Sequence, residues 1–296
     1  MTAWPHVYVH VPFCGRRCSY CDFSIAVRRS VPVSEYIDAV VAEMATRGIA
    51  RQEAPPRSLY LGGGTPSKLG PDGIARLLHE IGVRLGVEKF STNPDDLELT
   101  LEVNPEDVSP AAARAWAAAG VNRVSLGVQS FEPKALEWMH RQHSADDVVA
   151  AVRSIREAGI AELSLDLIFA IPEMLGRSWT NDLNRVLELE PDHLSLYGLT
   201  VEAATPLGKW VARQTVSEAP EERYEEEFLE ANRRLTDAGF QHYEVSNYAR
   251  PGRRARHNSA YWSGAAYLGL GPSAHGFDGT ERRWNIGPYA EWAAAA

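Results

Sequence analysis

The sequence predicts an α/β fold, a partial or complete barrel, and three observations carry that expectation. Six short apolar runs alternate with helical patterns, in the order of successive β/α units. Polar residues recur at the exits of these runs one after another, as they do where the loops at the C-terminal face of a barrel build a site. The glycines after the second run, Gly62–Gly64, do not have the GxGxxG spacing of a dinucleotide-binding sheet. With 296 residues, 45% of them hydrophobic, the chain can bury a large core, as one domain or as one plus an appendage.

The elements follow in order. The first strand reads His6–Val11 and delivers a cysteine-bearing loop at its end. Tyr36, Ile37, Val40, Val41 and Met44 then share one helical face, with Ser34 as the expected cap. A strand at Ser58–Leu61 runs into Gly62, Gly63 and Gly64, and Pro66 precedes a helix at about Pro71–Leu85. Leu97–Val103 is the third strand, with Glu102, Asn104 and Glu106 at its exit, and the alanine-rich Pro110–Ala119 is a helix. Val124–Val128 is the fourth strand, leaving through Gln129 and Ser130. A short helix near Pro133–Met139 and a longer one at Ala145–Ala158 come next. Leu163–Ile168 is the fifth strand, interrupted by Asp166; a helix covers Asp182–Leu189, and His193–Leu199 is the sixth strand. After Thr200 the pattern changes to an acidic-then-basic helix, Pro220–Ala238, and a turn-rich aromatic tract. A boundary therefore falls near residue 205, with a first domain at 1–205 and a smaller unit at 206–296. The closing EWAAAA reads as neither a packed element nor a polar tail, which suggests a truncated C-terminus.

Composition excludes several classes. A formal charge of −9 argues against a nonspecific nucleic-acid binder. No run of 18 apolar residues is present to span a membrane. MTAWPHVYVHV has neither the basic flank nor the apolar run of a signal peptide. A few reduced cysteines fit the cytosol, so a cytoplasmic location is expected, with peripheral contact to the inner face of a membrane left open.

The chemistry is concentrated in YVHVPFCGRRCSYCDF. Cys14, Cys18 and Cys21 are the only cysteines, at CxxxCxxC spacing. Three thiols without a fourth make a poor tetrahedral zinc site and a good three-legged seat for a [4Fe-4S] cluster that keeps one iron open to a ligand. Gly62–Gly64 allow close backbone approach to a ligand, and their N–H groups are candidate donors to a carboxylate. Glu102 and Gln129 at strand exits, Arg141 in the HRQH segment and Asp166 within a strand are the polar candidates. Arg141 suits bidentate pairing with a carboxylate. Asp166 lies in an apolar run, so it needs a partner or must face the barrel mouth.

CxxxCxxC with an aromatic before the third cysteine resembles the cluster motif of radical S-adenosylmethionine (radical SAM) enzymes, and GGGTP resembles their motif for the methionine end of SAM. YVHVPFCGRRCSYCDF, GGGTP, LEVNPED, RVSLGVQSF, HRQH and LDLIFAIP together resemble the family of oxygen-independent coproporphyrinogen III oxidase and its heme-chaperone relatives. The likeness covers nearly all of the chain up to about residue 290. It implies a partial (β/α)6 TIM-like barrel of radical SAM type with a smaller C-terminal appendage. It also implies a [4Fe-4S] cluster on Cys14, Cys18 and Cys21, and SAM bound through Gly62, Gly63, Gly64, Thr65, Glu102, Gln129, Arg141 and Asp166. Tyr8 resembles the family's tyrosine ahead of the cluster.

The oxidases carry a fourth cysteine two residues after the third, where this chain has Phe23, so Phe23 stands in the cofactor loop and lowers the oxidase reading. His257 in HNSAYW resembles a segment implicated in heme binding in the chaperone branch, with His242 and His275 as weaker ligand candidates. Arg250, Arg253, Arg254 and Arg256 are candidates for pairing with heme propionates, acidic lipid or a partner. The resemblance thus implies a heme chaperone that hands heme to respiratory apoproteins, with dimerisation open. The alternative is oxidative decarboxylation of coproporphyrinogen III by a 5'-deoxyadenosyl radical.

Overall fold

A computed structural model describes residues 4–296. Six parallel strands lie side by side in chain order: β1 (His6–Val11), β2 (Ser58–Gly63), β3 (Glu98–Val103), β4 (Arg123–Gln129), β5 (Glu162–Phe169) and β6 (His193–Gly198). The sheet continues past them at both edges. Leu268–Leu270 pairs in parallel with β1, and Asn247–Ala249 with Gln241–His242 extends it antiparallel beyond β6, giving nine strands. Residues on both sides of position 205 thus share one sheet. This is the expected partial (β/α)6 barrel with smaller accessory sheets.

The two-residue period of a strand explains why the sheet curls around a polar interior. One face carries Val7, Val9 and Val11 on β1, Leu99 and Leu101 on β3, and Leu163, Leu165 and Leu167 on β5, all buried in one apolar core. Each fully buried Val or Leu of this kind contributes roughly 1.5–3 kcal/mol. The other face carries Tyr8, Tyr60, Thr100 and Glu102, Arg123 and Ser125, Ser164 and Asp166, His193 and Ser195, which line the barrel interior.

The covering helices are α1 (Val33–Thr46), α2 (Gly70–Leu85), α3 (Pro110–Ala118), α4 (Pro133–Trp138), α5 (Ala145–Glu157) and α6 (Trp179–Glu188). Their ends follow from sequence. Ser109 and Ser178 cap α3 and α6, Ser144 and Asp147 form a reciprocal capping box on α5, and Gly86 ends α2 in the left-handed conformation at φ +77°. Two expectations are corrected. Ser34 does not cap α1: the helix starts at Val33 after Pro32, so Ser34 lies two residues past the cap position and its hydroxyl instead accepts from Arg76 at 3.0 Å. The closing segment is a packed element after all. Tyr289–Ala295 is helical, with Tyr289 and Trp292 buried and the Trp292 indole N–H donating to Glu43 at 3.1 Å.

Candidate cluster and cofactor site at the barrel mouth

A cavity of about 530 Å³ opens where the six parallel strands end, within the size range of small-molecule sites. The loop after β1 brings Cys14, Cys18 and Cys21 to its wall, all three half-buried. Cys14 Sγ lies 3.4 Å from Thr65 Oγ1, and Arg141 Nη1 donates to Cys18 Sγ at 3.6 Å. Burial pushes the Cys14 thiol up and Cys21 up to about 11, so bare thiolates are disfavoured there and iron would relieve the cost. No three His, Cys, Asp or Glu side chains among the described residues are grouped to hold a single metal ion. The three thiols share a cavity wall instead, and with no fourth cysteine in the chain this donor set fits an iron–sulfur cluster with one open iron.

The polar strand exits face the same space. Glu102, at the end of β3, accepts from Tyr60 Oη at 2.7 Å and from the Gly63 N–H at 3.0 Å; burial raises its pKa to about 7. Asp166 on β5 accepts from Ser125 Oγ at 2.9 Å and from Ser164 Oγ at 3.3 Å, and burial raises its pKa also. Gln129 follows a register shift in β4 and sits at φ +66°, in the left-handed region. Asp182 of α6 holds the turn behind it, accepting from Ser130 Oγ at 2.8 Å and from the Phe131 N–H at 2.9 Å.

Arg141 spans the gap between the strand ends and the cysteine loop. Its Nη2 donates to Asn104 Oδ1 at 2.7 Å and to the Gly127 carbonyl at 2.8 Å, while Nε, buried, has no partner among the described residues. A buried orphan donor beside an amide oxygen, a carbonyl and a thiol is what a charged, multi-point ligand such as SAM would complete.

Of the sequence candidates, Cys14, Cys18, Cys21, Phe23, Gly63, Gly64, Thr65, Glu102, Gln129, Arg141 and Asp166 all line this cavity. Gly62, Tyr8 and His257 do not. The glycines act differently from expectation. The Gly63 N–H is taken by Glu102, and the Gly64 N–H donates to the Val11 carbonyl at 2.8 Å, so neither is free for a carboxylate. Their need for glycine is steric: a Cβ on Gly64 would come 2.8 Å from the Pro12 backbone, and one on Gly62 3.0 Å from Glu102 Oε1.

His257 lies at the opposite end of the barrel. Its backbone N–H donates to Glu98 at the start of β3 (2.8 Å), Nδ1 is 2.7 Å from Ser58 Oγ at the start of β2, and Nε2 is 2.8 Å from Tyr261 Oη. Both ring nitrogens are occupied, and burial lowers its pKa to about 3. As placed, it offers no nitrogen to iron. His257→Ala is expected to cost about 2–3 kcal/mol of stability by urea unfolding, because it removes buried hydrogen bonds to Ser58 and Tyr261 and opens a cavity.

The basic run is corrected as well. Arg250 donates to the Pro191 carbonyl, Arg253 pairs with Glu162 at 3.1 Å, Arg254 donates to Gln241, and Arg256 donates to the Pro94 carbonyl at 2.7 Å. These arginines tie down chain entering the strands, far from the cysteines. Missing from the sequence-level set were Tyr20, Asn104, Ser125 and Tyr197, which also line the large cavity. The two-residue period marks Ser125 and Tyr197, since each falls on the same strand face as its polar neighbours.

Fold and site together define a radical SAM protein, and the Radical SAM superfamily model matches residues 8–186. The structure of coproporphyrinogen III oxidase (HemN) from Escherichia coli, a radical SAM enzyme, superposes with a TM-score of 0.82 at 25% identity, over 98% of this chain and 69% of that one. Heme chaperone HemW of Bacillus subtilis is 35% identical over 282 residues, 95% of this chain and 73% of that protein. Heme chaperone HemW of Synechocystis is 38% identical over 273 residues, and the alignment spans 64% of its length. The chain belongs to the HemW family of radical SAM proteins. Such membership implies a general capability for [4Fe-4S] and SAM binding. No helix among the described residues is long and apolar enough to cross a membrane.

Proposed function

We propose that this chain is the radical SAM part of a heme chaperone that binds heme and passes it to respiratory apoproteins. The observation carrying this reading is the convergence of three half-buried thiols with Glu102, Gln129, Arg141 and Asp166 in one cavity of about 530 Å³. In it, Cys14, Cys18 and Cys21 hold a [4Fe-4S] cluster, which when bound supplies an electron and an open iron for SAM. Glu102 and Asp166 supply acceptors, and Gln129 and Arg141 supply donors, to the polar parts of SAM. Arg141 also places positive charge beside Cys18 Sγ, at 3.6 Å.

The heme assignment draws on the HemW relatives' names and on Phe23. This side chain is 62% exposed at the cavity rim, where the oxidases resembled by the sequence have a further cysteine. The oxidase reading draws on the likeness to the E. coli enzyme.

One preparation separates the two. Anaerobically reconstituted protein is titrated with hemin and with SAM, and coproporphyrinogen III turnover is assayed alongside. Saturable hemin binding, a SAM-dependent change in the cluster's EPR signal and no decarboxylation are expected. Turnover to a vinyl product without saturable hemin binding would replace the chaperone with the oxidase.

A further inference from the structure

A second cleft, of about 330 Å³, opens beside β1 and shares no lining residue with the cysteine cavity. Tyr8, Tyr261 and Tyr267 line it together with His275, Phe277 and Arg282. The last three belong to a two-stranded antiparallel ribbon, His275–Phe277 with Arg282–Trp284, in which His275 pairs with Trp284 and Phe277 with Arg282. Side chains two apart on a strand share a face, as do directly paired residues across an antiparallel ladder. One ribbon face therefore presents an imidazole, two aromatic rings and a guanidinium together. His275 stacks on Trp284 with ring centroids 6.1 Å apart, and Trp284 is 70% exposed. The ribbon is seated by close backbone contact: a Cβ on Gly269 of the edge strand would come 1.9 Å from the His275 carbonyl oxygen.

The histidines of the chain differ in what their ring nitrogens do. His10, also in this cleft, is 3.0 Å from Tyr8 Oη through Nδ1 and 2.9 Å from the Ser24 carbonyl through Nε2. His257 is engaged at both nitrogens. The His275 ring is exposed, and neither of its nitrogens has a hydrogen-bond partner among the described residues. Its ring is the one in the cleft with both nitrogens available.

We propose that this cleft is the iron-porphyrin site, with His275 as the axial ligand, the tyrosines and Phe277 against the macrocycle and Arg282 pairing with a propionate. Neutral imidazole is a common haem ligand, aromatic faces suit a flat apolar ring, and guanidinium pairs with carboxylate. The assignment rests on the heme-binding reading above and relocates its ligand. It also gives the HNSAYW segment a part: His257 and Tyr261, four apart on the helix Arg256–Trp262, share a face, so His257 positions Tyr261 from behind while Tyr261 lines the cleft.

The test titrates the full chain with hemin and, separately, with metal-free protoporphyrin IX, in the unsubstituted protein and in His275→Ala, Arg282→Ala and His257→Ala. His275→Ala is expected to weaken hemin binding by about tenfold and to shift the Soret band, leaving protoporphyrin affinity within about twofold. Arg282→Ala is expected to weaken both ligands. His257→Ala, if folded by circular dichroism, keeps the Soret position of ligated hemin but weakens both porphyrins together, because Tyr261 loses its support. Hemin binding with an unchanged Soret band and affinity in His275→Ala overturns this assignment and leaves the chaperone reading standing. Loss of the ligation spectrum in folded His257→Ala, with His275→Ala unaffected, overturns it in favour of His257. Failure of the unsubstituted protein to bind either porphyrin removes the heme reading and this site with it.

Discussion

Cys18→Ala is expected to leave the anaerobically reconstituted protein without a stable cluster, lowering bound iron from about four per chain to near none. Three thiolates are the whole cysteine supply of the chain, so no side chain of the same type replaces a lost leg. Cys18 also lies within 3.6 Å of Arg141 Nη1, and its removal takes away the sulfur that this buried guanidinium faces. The thiol is half-buried on a loop rather than in the apolar core, so the far-ultraviolet circular dichroism should be unchanged. Iron and acid-labile sulfide analysis with the visible absorbance checks the result. Four irons retained in Cys18→Ala, with an unaltered EPR signal, would sink the three-cysteine seat.

SAM affinity is expected to fall by about tenfold for each pH unit below 7, and Glu102→Gln to flatten that dependence. Glu102 has its pKa raised to about 7 by burial, against the lowering influence of its hydrogen bond from Tyr60. Below that pH the carboxyl is protonated and loses acceptor capacity toward a cationic ligand. The linkage to stability has the opposite sense. A carboxyl raised from 4.5 to about 7 on folding contributes stability that is complete below pH 4.5 and is lost as pH rises through 7. In the cluster-free protein the difference between pH 4.5 and pH 8 is worth about 3 kcal/mol from this group. His257, lowered to about 3 by burial, acts in reverse, its stabilisation fading as pH falls below 6.5. Glu102 is therefore isolated by the difference between the unsubstituted protein and Glu102→Gln in urea titrations across that window. Parallel pH profiles for the two proteins would mean that Glu102 is already ionised in the folded state at pH 5.

Both predictions concern residues legible in the sequence. The three cysteines stand out because an entire thiol complement lies within eight residues, and Glu102, Gln129 and Asp166 because each leaves or interrupts an apolar run. The strand pattern was legible for the same reason, since alternation is written into each segment and a right-handed parallel sheet then has few ways to assemble. Ser125 stands on the polar face of its strand and Asn104 at a strand exit, but neither residue signals its partner locally. Their importance arises from pairing with Asp166 on the next strand and with Arg141 across a gap of 37 residues.

The sequence by itself therefore determined the six-unit barrel, the cysteine loop and the polar strand ends that meet at its mouth. Tertiary structure decided what lies at the other end and along the side. It placed His257 behind Ser58 and Tyr261 with no free nitrogen, spent the four arginines on neighbouring chain, and left His275 open beside Trp284. The division has a physical basis. A motif specifies its own donors and spacing locally, whereas the freedom of an imidazole depends on which distant hydroxyls and carbonyls the folded chain brings within hydrogen-bond reach.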